Sequence, residues 1–99
     1  MSALSEAVES VRAIVRGAGV SPARLHFFGS RVRGEARRGS DLDVVIEATR
    51  ALSLSDMARL KEAFDDSRLP YRIDVSDYQR LDPDFRAHAL AGALTVAVE

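Results

Sequence analysis

GSRVRGEARRGSDLD, residues 29–43, sits between two apolar segments, RLHFF at 24–28 and VVI at 44–46. Arg24 to Phe28 has the pattern of a short buried strand that ends at Gly29. Asp41 to Glu47 (DLDVVIE) has the pattern of a second strand, with Leu42, Val44 and Ile46 on one face and Asp41, Asp43 and Val45 on the other. Side chains two apart on a strand share a face, so Asp41 and Asp43 project together. Each carboxylate raises the other's pKa, and a divalent cation relieves that repulsion. Mg²⁺ takes oxygen ligands, normally one or two carboxylates plus the phosphates of a substrate. Gly29-Ser30 supplies the complementary part. Glycine lets the backbone come close to a phosphate, serine adds a hydroxyl, and the N–H groups after the turn form an anion cradle. Arg31, Arg33, Arg37 and Arg38 lie between turn and carboxylates and favour a polyphosphate. Arg31, directly after Ser30, is the foremost candidate among them.

Working outward, residues 4–16 carry apolar side chains at helical spacing, from Leu4 to Val15, and Gly17 and Gly19 stop the helix. Ser53 and Ser55 are candidate caps of a second helix reaching Asp66. Pro70 breaks the chain before a third strand, Tyr71 to Val75. Asp82-Pro83 opens a third helix running to Ala91, and Leu94 to Val98 forms a last strand. The alternation makes a small α/β layer structure with helices covering a sheet. Asp74 lies inside YRIDV, where an acid is costly unless paired or bound to metal. Beside Asp41 and Asp43 it would complete three carboxylates, a layout suited to two-metal phosphoryl or nucleotidyl transfer, with Asp74 helping to take a proton from the nucleophile. A salt bridge from Asp74 to Arg72 or another Arg is the other reading of the same residue.

At 99 residues the chain is expected to be a single domain, 1–99. Its net charge of -1 argues against general nucleic-acid binding. The lack of cysteine excludes disulfides and Cys-based zinc sites. No apolar run is long enough to span a bilayer, and MSALSEAVESVR is not a signal peptide, so the expected location is cytoplasmic with no membrane partner. Of the 14 basic residues 13 are Arg, which base composition of a genome explains. His26 and His88 are expected to be structural or surface residues, Tyr71 and Tyr78 packing residues with stacking on a base as the alternative, Asp65, Asp66 and Asp77 surface acids, and Phe27, Phe28 and Phe64 core.

Gly29, Ser30, ten residues, then Asp41-x-Asp43 resembles the hallmark of the minimal nucleotidyltransferases of the DNA polymerase beta superfamily. The flanking GSRVRGEARRGSDLDVVI resembles that family's wording, and Asp74 falls where it has a third carboxylate. The resemblance covers nearly the whole chain. It implies a nucleotidyltransferase fold, a small mixed sheet covered by helices. It also implies Mg²⁺-dependent transfer of AMP from ATP, with two ions. Asp41, Asp43 and Asp74 are then the catalytic and metal residues, and Gly29, Ser30 and Arg31 bind the nucleotide. Many small members of this kind act as antitoxins beside a HEPN-domain toxin, some by AMPylating a tyrosine of it. The expectation is therefore a protein adenylyltransferase, the antitoxin of a type VII-like toxin–antitoxin pair. The core is small enough that burying a face against a partner, in a hetero-oligomer, suits it. The chain is expected to lack the further helical domain with which larger superfamily members hold tRNA, DNA or an antibiotic. Two alternatives stand beside this reading: a non-catalytic antitoxin that neutralises a partner by complex formation, with Leu81–Val98 or the first helix as interface, and an enzyme adding nucleotides to an RNA 3′-end.

Overall fold

The computed structural model describes residues 3–20, 22, 24–35 and 40–98. In chain order the elements are α1 (Ala3–Gly17), β1 (Arg24–Phe28), α2 (Ser30–Arg33), β2 (Leu42–Glu47), α3 (Leu54–Asp65), β3 (Ile73–Asp77), a 3-10 turn (Tyr78–Arg80), α4 (Pro83–Leu90) and β4 (Leu94–Ala97). The strands form one mixed sheet in the order β3-β2-β1-β4. β1 runs antiparallel to both β2 and β4, whereas β2 and β3 are parallel. A parallel pair needs a crossover, and α3 provides it.

Strand alternation divides the sheet into two unlike faces. Leu25, Phe27, Leu42, Val44, Ile46 and Val75 point to one of them and are buried there against Ala7, Val8, Val11 and Val15 of α1 and Leu60 and Phe64 of α3. Fully burying a side chain of this size contributes roughly 1.5–3 kcal/mol, so this layer is the principal source of stability. α1 ends where Gly19 adopts φ 76°, a conformation glycine enters freely. Arg16 Nε donates to the Val98 carbonyl at 3.0 Å and ties the end of β4 to α1. Ser53 caps α3 by accepting from the Asp56 N–H at 3.0 Å, and Asp82 caps α4 through the Asp84 and Phe85 N–H groups.

The opposite face carries His26, Asp43, Val45, Glu47, Asp74 and Thr95. One end of it is covered. Tyr78 stacks on His26 with ring centroids 5.7 Å apart, Arg86 lies over Tyr78, and Val45 is fully buried. His26 hydrogen-bonds Thr95 Oγ1 at 2.8 Å and Glu47 Oε1 at 2.6 Å, which gives both ring nitrogens a structural partner as expected. The other end, at Asp43 and Asp74, stays open.

Three expectations are corrected. β3 begins and ends two residues later than the apolar pattern of YRIDV suggests. Asp77 is not a surface acid: it is 5 % exposed and occupies the core-face position after Ile73 and Val75. Its carboxylate accepts from the Leu52 N–H at 2.7 Å and from Arg80 Nη1 at 2.8 Å, so a polar side chain completes an apolar row by anchoring the loop before α3. Phe28 is only half-buried, since it points to the open face.

Candidate active site

The site begins where β1 stops. Phe28 pairs with Asp43 across the β1–β2 ladder, so the next residue turns directly above the Asp43 side chain. That residue is Gly29, at φ 88° and ψ −168°, a region open essentially to glycine alone. A Cβ there would lie 2.1 Å from Asp43 Oδ2. Conformation and space therefore both require glycine. Ser30 then starts the single turn α2, in which Val32 and Arg33 donate to the Gly29 carbonyl. Gly34, at φ 76°, ends it.

Arg31 reaches back across the site. Its Nε donates to the Ser40 carbonyl at 2.7 Å, and its guanidinium lies 4.3 Å over the Tyr71 ring. The Leu42 N–H donates to the Arg72 carbonyl at 2.9 Å. Asp41 is thus held between two tethered neighbours. Arg37 and Arg38 lie outside the described residues.

β2 and β3 are registered so that Asp43 stands beside Asp74. Burial raises the Asp43 pKa above its ordinary value, and the charges of Asp74 and Asp41 and a hydrogen bond shared with Asp74 add to the rise, while Arg33 offsets part of it. Asp74 is exposed rather than buried. The burial argument that singled it out does not hold; its register opposite Asp43 is what places it in the site. No ion pair joins it to Arg72 among the described residues.

Among the described residues no three His, Asp or Glu side chains stand together as a ready metal-ligand set. Asp43 and Asp74 are paired, and Asp41 acts on Asp43 through its charge. This oxygen-only set of mutually repelling carboxylates fits a hard cation such as Mg²⁺, which would relieve the strain that lifts Asp43. A cleft of about 400 Å³ opens beside Asp41 and Asp74 and continues round β3 to Lys61 and Asp65 of α3.

The role of Tyr71 as a platform for Arg31, and the place of Lys61 in the cleft, were not foreseen. Tyr71 lies 40 residues from Arg31 in sequence, and no local pattern links them. Lys61 follows the buried Leu60 on α3 and is exposed.

Comparison with known proteins identifies the family. The family described as polymerase beta nucleotidyltransferase matches residues 19–97. A Haemophilus influenzae protein named as a protein adenylyltransferase, MntA, is 48% identical over 59 residues, which are 60% of this chain and 52% of that protein. The match thus spans about half of that relative's length. A protein of Methanocaldococcus jannaschii, also an adenylyltransferase by name, is 33% identical over 73 residues, 74% of this chain and 77% of its own. A solved structure described as a minimal nucleotidyltransferase superposes with a TM-score of 0.69 at 35% identity, covering 90% of this chain and 92% of its own. A second, a toxin–antitoxin with AMP-PNP, shares the fold with a TM-score of 0.68 at 17% identity, covering 92% of this chain and 71% of its own. With the Gly29–Asp43 contact, the Asp43–Asp74 register and a family match over most of its length, the chain belongs to the polymerase beta nucleotidyltransferases, as a minimal nucleotidyltransferase domain.

Proposed function

We propose that the chain transfers AMP from ATP to a side-chain hydroxyl of a partner protein, a tyrosine of a HEPN-type toxin, and so acts as the antitoxin of a type VII-like pair in the cytoplasm. The observation that carries this is the close approach of Gly29 to Asp43, which brings a phosphate-cradling turn against a carboxylate whose pKa is raised. The names of the two adenylyltransferase relatives support the reaction, and the description of the neighbouring toxin–antitoxin structure supports the setting. No helix among the described residues is long and apolar enough to cross a membrane.

In this reading the Gly29-Ser30 backbone and the Ser30 hydroxyl hold the triphosphate. Arg31 adds positive charge beside it while its Nε keeps Ser40, and hence Asp41, in place. Asp41, Asp43 and Asp74 would hold Mg²⁺, which when bound supplies charge neutralisation for the phosphates. The acceptor oxygen forms a bond to the α-phosphorus, the bond from that phosphorus to the bridging oxygen breaks, and pyrophosphate leaves. Asp74, exposed at the cleft, accepts the hydroxyl proton. The test is ATP labelled in the α-phosphate, mixed with the chain, Mg²⁺ and a lysate of its host. A labelled protein that disappears with Asp41→Asn or Asp43→Asn is expected; transfer persisting in both variants refutes the mechanism.

A second reading, neutralisation by binding alone, is favoured by one observation: Phe85 and Leu94 are 50% and 38% exposed within the Leu81–Val98 region. It predicts a partner complex formed without nucleotide and unchanged by Asp43→Asn. Addition of nucleotides to RNA predicts label on nucleic acid and salt-sensitive binding instead.

A further inference from the structure

We propose that the free edge of β3 docks the acceptor as an extended polypeptide segment, paired to the sheet like a fifth strand, with its hydroxyl side chain opposite Asp74. The inference rests on the transferase reading above and adds how the acceptor is presented.

β3 is an outer strand of the sheet. The Arg72 carbonyl accepts from the Leu42 N–H and therefore faces β2. Successive residues of a strand turn their backbone groups to alternate sides, so Asp74 also faces β2. Ile73 and Val75 turn N–H and C=O outward. Among the described residues no bond from outside the sheet reaches them. Such an edge is a template for another strand. Elsewhere that would be an aggregation hazard, but here the cleft opens over it.

The cleft's two walls select the occupant. On the open face stand Asp41, Arg72 and Asp74; on the α3 side stand Lys61 and Asp65. A strand added beside β3 alternates its side chains between these walls. The residue level with Asp74 faces the same side as the three carboxylates, which is where an attacking hydroxyl is needed. Its two neighbours face Lys61. Lys61 is the one lysine of the chain, is exposed, and forms no ion pair among the described residues. Carboxylates flanking the hydroxyl residue are the matching chemistry. The opposite edge, β4, lies two strands beyond β2 and cannot present a hydroxyl to Asp74.

The test uses the full chain, ¹⁵N-labelled, and the synthetic peptide acetyl-Val-Gln-Glu-Tyr-Glu-Gln-Val-amide. Amide resonances of Ile73 and Val75 are expected to move on titration and to become protected from solvent exchange. N-methylation of alternate peptide residues on the pairing edge should weaken binding by at least about tenfold. Lys61→Glu, an exposed change, should weaken it by up to about fivefold. Ile73→Pro, at the first strand position where proline is tolerated, should also weaken it while leaving shifts caused by Mg²⁺-ATP at Gly29 to Asp43 intact. AMP should appear on this peptide and not on its phenylalanine counterpart. Binding with Ile73 and Val75 unmoved overturns the proposal, as does absence of binding. Movement of Ile73, Val75 and Lys61 by Mg²⁺-ATP alone overturns it too, by giving the cleft to the nucleotide. Edge pairing without AMP transfer upholds the dock and counts against the transferase reading.

Discussion

Gly29→Ala isolates the contact on which the site depends. Alanine at φ 88°, ψ −168° carries about 1–3 kcal/mol of backbone strain. The new Cβ, at 2.1 Å from Asp43 Oδ2, also forces the carboxylate to retreat by about 1 Å, off its preferred rotamer, for about 1 kcal/mol more. The sum is about 3 kcal/mol. For a domain of this size that lowers Tm by about 12–24 °C. A displacement of about 1 Å in a reacting constellation costs on the order of 100-fold in rate, so AMP transfer should fall by about that factor at temperatures where the variant is folded. Thermal unfolding by circular dichroism and transfer of α-labelled phosphate read the two effects separately. The Asp43→Ala background divides them further: the collision is gone, and only the backbone strain should remain in the Gly29→Ala difference. Wild-type melting and wild-type transfer in Gly29→Ala would show that the turn does not press on Asp43. An unchanged penalty in the Asp43→Ala background would assign all of it to the backbone.

Asp43→Asn should abolish transfer yet raise the stability of the metal-free chain at neutral pH by about 0.5–1 kcal/mol, because like charges directly across two strands are destabilising. The pH dependence follows from the raised Asp43 pKa: folding takes up a proton, so stability falls as pH rises from the ordinary carboxylate value through the raised one, and the substitution should flatten that decline in chelator-treated protein. Asp77→Ala should lower stability by about 2–3 kcal/mol, since the buried Leu52 N–H loses its charged acceptor; equilibrium denaturation measures it. Tyr71→Ala removes the platform under Arg31 and is expected to cost about 0.5–1 kcal/mol of stability and to reduce kcat more than the KM for ATP, by loosening Ser40 and Asp41. EDTA should eliminate transfer, with recovery on excess Mg²⁺.

Local chemistry made much of this molecule legible in advance. Helical spacing from Leu4 to Val15 marks α1 because one face must be apolar, and Asp82-Pro83 and Ser53 mark helix starts because capping is a short-range interaction. The Gly29-Ser30 and Asp41-x-Asp43 spacing was readable for the same reason: a strand, a turn and a strand bring them together with no help from distant chain. What failed depended on distant partners. Asp77 resembles a surface acid until the Leu52 N–H, 25 residues away, is brought to it. The late start of β3 reflects the parallel ladder with β2, which no pattern within YRIDV encodes. Asp74 was selected for a burial it does not have, and its relation to Asp43 is a matter of strand register alone. Arg31 follows Ser30 closely enough to suggest a phosphate ligand, but its Nε and its ring contact are engaged with Ser40 and Tyr71.

The most direct test of the central claim compares ATP labelled in the α-phosphate with ATP labelled in the γ-phosphate, each incubated with the chain, Mg²⁺ and host lysate, beside Asp43→Asn. Label from the α-position alone, on a protein, and lost in the variant, is the predicted result. Label from the γ-position on that same protein and lost in Asp43→Asn, or α-label undiminished in Asp43→Asn, contradicts AMP transfer at the site where Gly29 meets Asp43.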